Sequence, residues 1–230
     1  MISHDPVSVL MNTTAAGATA PSFAAKVDFA TGAGPITVAV ADFNGDDNLD
    51  LVVGNQNANT MSILLNTMTP GSSTPSFAAH VDFTTGTQPA SVVVGDLNGD
   101  GKPDVAVSAV QSVGVSVFLD TTTAGATAPS FTAKSDFLVA GNPFGLAIGD
   151  LDGDGRLDLA AANGSASNNA GVLRDTTAAG ATAASFASVV TFATGAAPIA
   201  IAVGQFNGDG KLDLVTANDN GNSVSILLGQ

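Results

Sequence analysis

The 230-residue chain contains no cysteine, tryptophan, tyrosine or glutamate, and only six lysines and arginines. Without cysteine there are no disulfides and no thiolate metal sites. Without glutamate, and with few basic residues, the chain lacks the usual formers of surface helices. The 20 acidic residues are all Asp and give a formal charge of −14. That argues against phosphate-backbone binding, which draws its affinity largely from Lys and Arg. No apolar run reaches the eighteen or so residues a membrane-spanning helix needs. The N-terminal stretch MISHDPVSVL has neither a basic nor an apolar leader segment, so an exported form would be a mature chain or part of a longer one.

What is abundant is Val, Ile, Thr and Gly, a strand-and-turn composition. The chain also repeats. Acidic stretches recur as DFNGDDNLD (42–50), DLNGDGKPD (96–104), DLDGDGRLD (150–158) and QFNGDGKLD (205–213), their first residues 54, 54 and 55 apart. Each follows the same preamble, such as SFAAKVDFATGAGPITVAV before the first.

One period predicts four strands. ITVAV (36–40) is apolar at nearly every position and reads as buried on both faces. LDLVVG (49–54) follows the acidic loop, and MSILLN (61–66) places Met61, Ile63 and Leu65 on one face. FAAKVDF (23–29) alternates, with Lys26 and Asp28 on its polar side, as suits an outer edge that resists stray pairing. The expected fold is all-β: a β-propeller of four-stranded antiparallel blades of about 54 residues. The repeats cover approximately 35–85, 89–138, 143–193 and 198–229, preceded by strands within 7–29, in one whole or partial propeller domain spanning 1–230. A β-sandwich of repeated hairpins is the alternative.

Oxygen side chains at positions 1, 3, 5 and 9, with glycine at the turn, suit a hard cation that takes six to eight oxygens. In the second loop these are Asp96, Asn98, Asp100 and Asp104, with the main-chain carbonyl of Lys102 at position 7. Calcium turns the mutual repulsion of these groups into shared attraction; magnesium prefers a stricter octahedron. Position 12 holds Val53, Val107, Ala161 and Thr216, so the bidentate Glu of an EF-hand is missing. The bland alternative is a set of Asx-turns, in which Asp and Asn bond their own backbone.

The loops, the preceding GAGP and GAAP stretches and the period resemble the FG-GAP or VCBS repeats of integrin-type β-propellers. The resemblance covers nearly the whole chain. It implies a calcium-binding loop between the first two strands of each blade. The implied ligands are Asp42, Asn44, Asp46, Asn48 and Asp50, then Asp96, Asn98, Asp100, Lys102 and Asp104. They continue as Asp150, Asp152, Asp154, Arg156 and Asp158, then Gln205, Asn207, Asp209, Lys211 and Asp213, the residue at position 7 acting through its carbonyl. Two departures stand out: Gln205 replaces the first Asp, and Asp47 replaces a turn glycine.

No catalytic constellation emerges. His4 and His80 are the only histidines, and His80 occupies the outer-strand position of Lys26 and Lys134. The expected role is therefore non-enzymatic: an extracellular or cell-surface module that binds calcium and a protein partner, in adhesion or assembly. A glycan-binding propeller is the alternative, weakened by the lack of Trp and Tyr for stacking on sugars. In the third repeat Arg174 stands where Met11, Leu65, Leu119 and Leu228 stand elsewhere, and Val189 and Thr191 replace the charges of Lys26 and Asp28. The chain also holds a surplus third strand, VSVLMN (7–12), matching VSILLG (224–229). That surplus predicts a homo-oligomer or part of a larger ring.

Overall fold

The computed structural model describes residues 6–112, 114–164 and 167–230; His4 lies outside them. Among these residues the regular structure is entirely β, in seventeen strands. A two-stranded antiparallel ribbon comes first, β1 (Val7–Val9) with β2 (Val27–Phe29). Blade one follows as β3 (Pro35–Ala41), β4 (Asp50–Asn55), β5 (Thr60–Leu64) and β6 (Val81–Thr84), paired in that order. Blade two is β7 (Pro89–Gly95), β8 (Asp104–Ala109), β9 (Gly114–Phe118) and β10 (Ser135–Phe137). Blade three is β11 (Asn142–Gly149), β12 (Asp158–Gly164), β13 (Asn169–Leu173) and β14 (Val190–Ala193). Blade four has three strands, β15 (Pro198–Gly204), β16 (Asp213–Asn218) and β17 (Ser223–Leu227).

All pairings are antiparallel, with a register shift just after a proline in the first or second position of each first strand (Pro35, Pro89, Pro143 and Pro198). Proline has no N–H for the ladder and is tolerated where the register breaks. The first strands contact one another in sequence, β3 with β7, β7 with β11 and β11 with β15. Each junction between sheets then closes over its own apolar cluster. Phe43, Val52, Met61 and Ile63 of blade one meet Val92, Val105 and Val107 of blade two. Leu97, Val115, Val117 and Leu119 meet Leu146, Leu159 and Leu173 of blade three. Ala160 and Val172 meet Leu214, with Ile201 and Val203 packed alongside. The β1–β2 ribbon packs Val7, Val9 and Phe29 on Leu51, Val53 and Leu64.

Two sequence expectations change in detail. The first strand of blade one is half-buried on one side only, leaving Ile36, Val38 and Val40 exposed. The ribbon in front of it covers the second and third strands and leaves the first one bare. Outer strands are also shorter than the alternation suggested: Phe23, Phe77, Phe131 and Phe186 join through isolated bridges rather than strands. His80 does lie on the outer face, its Nδ1 2.9 Å from Asp82 Oδ1, in the place of the Lys26–Asp28 and Lys134–Asp136 ion pairs.

Candidate metal centre

The acidic stretches are the turns between first and second strands of each blade, and their hydrogen bonds repeat. The carboxylate at position 1 accepts backbone N–H groups from positions 5 and 6. Asp42 takes Asp46 (3.1 Å) and Asp47 (2.8 Å), and Asp96 takes Asp100 (3.1 Å) and Gly101 (2.8 Å). Asp150 takes Asp154 and Gly155 and adds Gly153 at 2.7 Å. Gln205 takes only Gly208, at 3.1 Å. At position 5, Asp46, Asp100, Asp154 and Asp209 each accept the N–H of position 7 at 2.9–3.0 Å. These are Asx-turns, so the bland sequence reading describes part of what the loops do. Position 6 needs a left-handed backbone: φ is 85° to 87° at Gly101, Gly155 and Gly210, and Asp47 adopts 67° in their place.

Position 9 does something else. Asp50, Asp104, Asp158 and Asp213 are buried, and each carboxylate joins the loop to the end of the third strand. One oxygen accepts from the residue at position 2 (Phe43, Leu97, Leu151, Phe206) and the other from the strand end (Asn66, Asp120, Asp175, Gly229), at 2.7–3.0 Å throughout. Burial pushes the Asp104 carboxyl up to about 6 against the pull of these N–H donors, and raises Asp50 and Asp158 for the same reason. A carboxylate that is costly to ionise in place is stabilised by a nearby cation.

The third loop comes nearest to a complete cation site. Oxygens of Asp150, Asp152 and Asp158 lie within 4.8 Å of one another, the one such carboxylate cluster among the described residues. Asp154 stays apart, paired with Arg156. Asp152 is also bonded by Arg174 Nη1 at 3.0 Å, so the odd arginine of the third repeat has its head on the acidic loop. In the first loop, Asn44 donates Nδ2 to Asp46 and to Ala126 O, both at 3.2 Å. Its Oδ1 is buried and has no donor, an arrangement a bound cation would satisfy. Asn98 and Asn207 make the same amide bond to Asp100 and Asp209. At position 7 the side chains of Lys102 and Arg156 reach main-chain oxygens of Thr122 and Asp175. Asn48 Nδ2 reaches Asp46 O at 3.5 Å, and the Lys211 N–H belongs to the turn.

Two features of the site escaped the sequence reading. The first is a cap from the following blade: Gly125 donates its N–H to Asn44 O and Gly180 donates to Asn98 O, both at 2.7 Å, beside the Asn98 Nδ2 bond to Ala181 O. The signal was the recurring AGATAPSF and AGATAASF at 124–131 and 179–186. The second is a pair of buried acids at the third-strand ends, Asp120 and Asp175, raised by burial. Through Oδ1 each accepts the N–H of the Thr two residues on, Thr122 and Thr177, and each has a buried Oδ2 without a hydrogen bond. The Asx-Thr pair that ends every third strand but the last would have marked them.

Residues 42–107 match the family model described as FG-GAP-like repeat. No curated protein matches the chain. Among solved structures, the chain is similar to BBS1N, a β-propeller, crystallised in complex with ARL6DN and soaked with mercury. The TM-score is 0.51 at 14% identity, over 86% of this chain and 59% of that one. The lead-soaked crystal of the same complex gives 0.49 at 14% identity, over 86% and 58%. The chain therefore spans less than two thirds of the chains it resembles, and the likeness concerns the fold. The blades and the family match together make this chain an all-β, propeller-type protein carrying an FG-GAP-like repeat at residues 42–107.

Proposed function

We propose that the chain is an extracellular, calcium-binding propeller module with a binding or assembly role and no catalytic one. The observation that carries this reading is the clustering of Asp150, Asp152 and Asp158 within 4.8 Å at a turn the chain repeats four times. Oxygen-only donor sets favour a hard cation, and a flexible set with a main-chain carbonyl favours calcium over magnesium. The Asn44 Oδ1 that lacks a donor supports the same reading in the first loop. Bound calcium would neutralise the crowded carboxylates and tighten each loop. The chain's own residues carry that tightening across blades, because Asn44 and Asn98 are bonded to the cap of the next blade.

Titration calorimetry on metal-stripped protein tests the proposal. The expected result is calcium binding at about 0.1–1 mM, the range of extracellular modules, with magnesium much weaker. Asp150→Asn with Asp152→Asn should remove one site and leave the others. No calcium heat at any concentration, or equal heats for magnesium, would overturn it.

A further inference from the structure

Both ends of the blade array expose apolar positions whose counterparts are buried where blades one and two meet. At the trailing end, Phe206, Val224, Ile226 and Leu228 are exposed, whereas their blade-one counterparts Phe43, Met61, Ile63 and Leu65 are buried. At the leading end, Val38 is 53% exposed, and its counterpart Val92 is 6% exposed. Blade four also lacks an outer strand, and a groove of about 590 Å³ runs beside β17, lined in part by Val172, Val190, Phe192 and Ile226.

The repeat specifies what fits that groove. In blades one and two the third strand gives a serine hydroxyl to an outer-strand aspartate: Ser62 to Asp82 and Ser116 to Asp136, both at 2.6 Å. Ser225 accepts from Gly195 N–H and Asn218 Nδ2 and has no such aspartate to donate to. Outer-strand phenylalanines are met edge-on by the phenylalanine ending the next loop, Phe29 by Phe77, Phe83 by Phe131 and Phe137 by Phe186, with centroids 4.9–5.1 Å apart. The next phenylalanine in that series, Phe192, has no such partner and is exposed; Phe23, the first of the bridging phenylalanines, is exposed as well. One segment of this chain carries both missing groups in phase: Phe23 followed by Val27–Phe29.

We propose that the trailing edge of one copy takes up residues 23–29 of a second copy, joining the chains head to tail; this rests on the assembly role proposed above. Strand β17 takes the place of β1, whose sequence it repeats. The register of β1 with β2 (Val7↔Phe29, Ser8↔Asp28, Val9↔Val27) becomes Val224↔Phe29, Ser225↔Asp28 and Ile226↔Val27. Phe23 of the second copy meets Phe192. Val224 and Ile226 then rest on the second copy's Leu51, Val53 and Leu64, as Val7 and Val9 now do, and the inner strands of blade four cover Ile36, Val38 and Val40. Exchanging one strand for a near-identical one is a low-cost route to assembly, and a head-to-tail interface closes into a ring or extends.

Sedimentation in millimolar calcium tests this with Val38→Lys and Ile226→Lys, both at positions exposed in the single chain, with melting curves to verify folding. The unmodified chain should sediment as two or more copies, each variant alone as one, and their mixture as two. In addition, Ser225→Cys mixed with Asp28→Cys should give a disulfide-linked pair on oxidation, since the chain has no other thiol. A single-copy species at all concentrations, or a Val38→Lys variant that still associates, would overturn the proposal. Calcium heats measured on the same samples separate the two readings: a calcium-binding monomer refutes the assembly alone.

Discussion

Blades two and four are built from the same repeat, yet one is a core and the other a surface. Val115 and Val117 of blade two are fully buried, and Val224 and Ile226, at the same repeat positions, are 67% and 54% exposed. The burial of a side chain here belongs to the junction between two sheets, not to the repeat that encodes it. This is the expected behaviour of repeat architectures, whose stability sums local and neighbour terms.

The largest test of that comparison uses one substitution at two equivalent sites. Ile63→Ala should cost about 2–5 kcal/mol by leaving a cavity in a closed junction. Ile226→Ala should cost under about 0.5 kcal/mol in the single chain, as exposed positions do. Denaturant unfolding of the two at low protein concentration checks this, and equal losses would mean that the trailing face is covered.

A pH effect comes next and contrasts the loops with the rest of the fold. Asp104 sits at about 6 in the folded chain against an ordinary 3.8, so the fold favours its protonated form. That contribution is fully present below the ordinary value and is lost as pH rises through about 6. Metal-free protein should therefore melt at lower temperature as pH climbs through this window, with Asp50 and Asp158 adding in the same direction. Asp104→Asn should flatten the trend, as should calcium; melting in chelator across the window would show it.

Within the sheets, Ser116→Ala removes a buried donor from Asp136 and should cost about 1–3 kcal/mol. Ser225→Ala, with no aspartate across from it, should cost distinctly less by the same unfolding measurement. Smallest is the turn comparison. Asp47→Gly should stabilise the first loop by about 1 kcal/mol by relieving its positive φ, and Gly101→Asp should cost a similar amount. Differential melting of the two variants measures both signs.

The period, the strand order and the position of every acidic loop were legible in the sequence, because each depends on residues close together in the chain. The bond from Asn44 to Ala126 was not, since it spans 82 residues and exists only when two blades stack. The same holds for Arg174, whose side chain reads as a misplaced core residue until the fold sets it 3.0 Å from Asp152. Asp120 and Asp175 drew no sequence expectation and prove to be buried beside the loops. Position 9 was legible as an acid but not as a clamp. Its two backbone bonds depend on the third strand ending beside the turn.

Thermal unfolding in calcium against chelator at neutral pH decides whether the acidic loops are, as proposed, calcium sites integral to the fold. For sites that bind at about 0.1–1 mM, millimolar calcium contributes about 0.4–1.4 kcal/mol per site by mass action. With calcium integral to the fold, the melting temperature should be several degrees higher in calcium than in chelator, with magnesium giving little of the gain. An identical melting temperature in calcium and in chelator would contradict it.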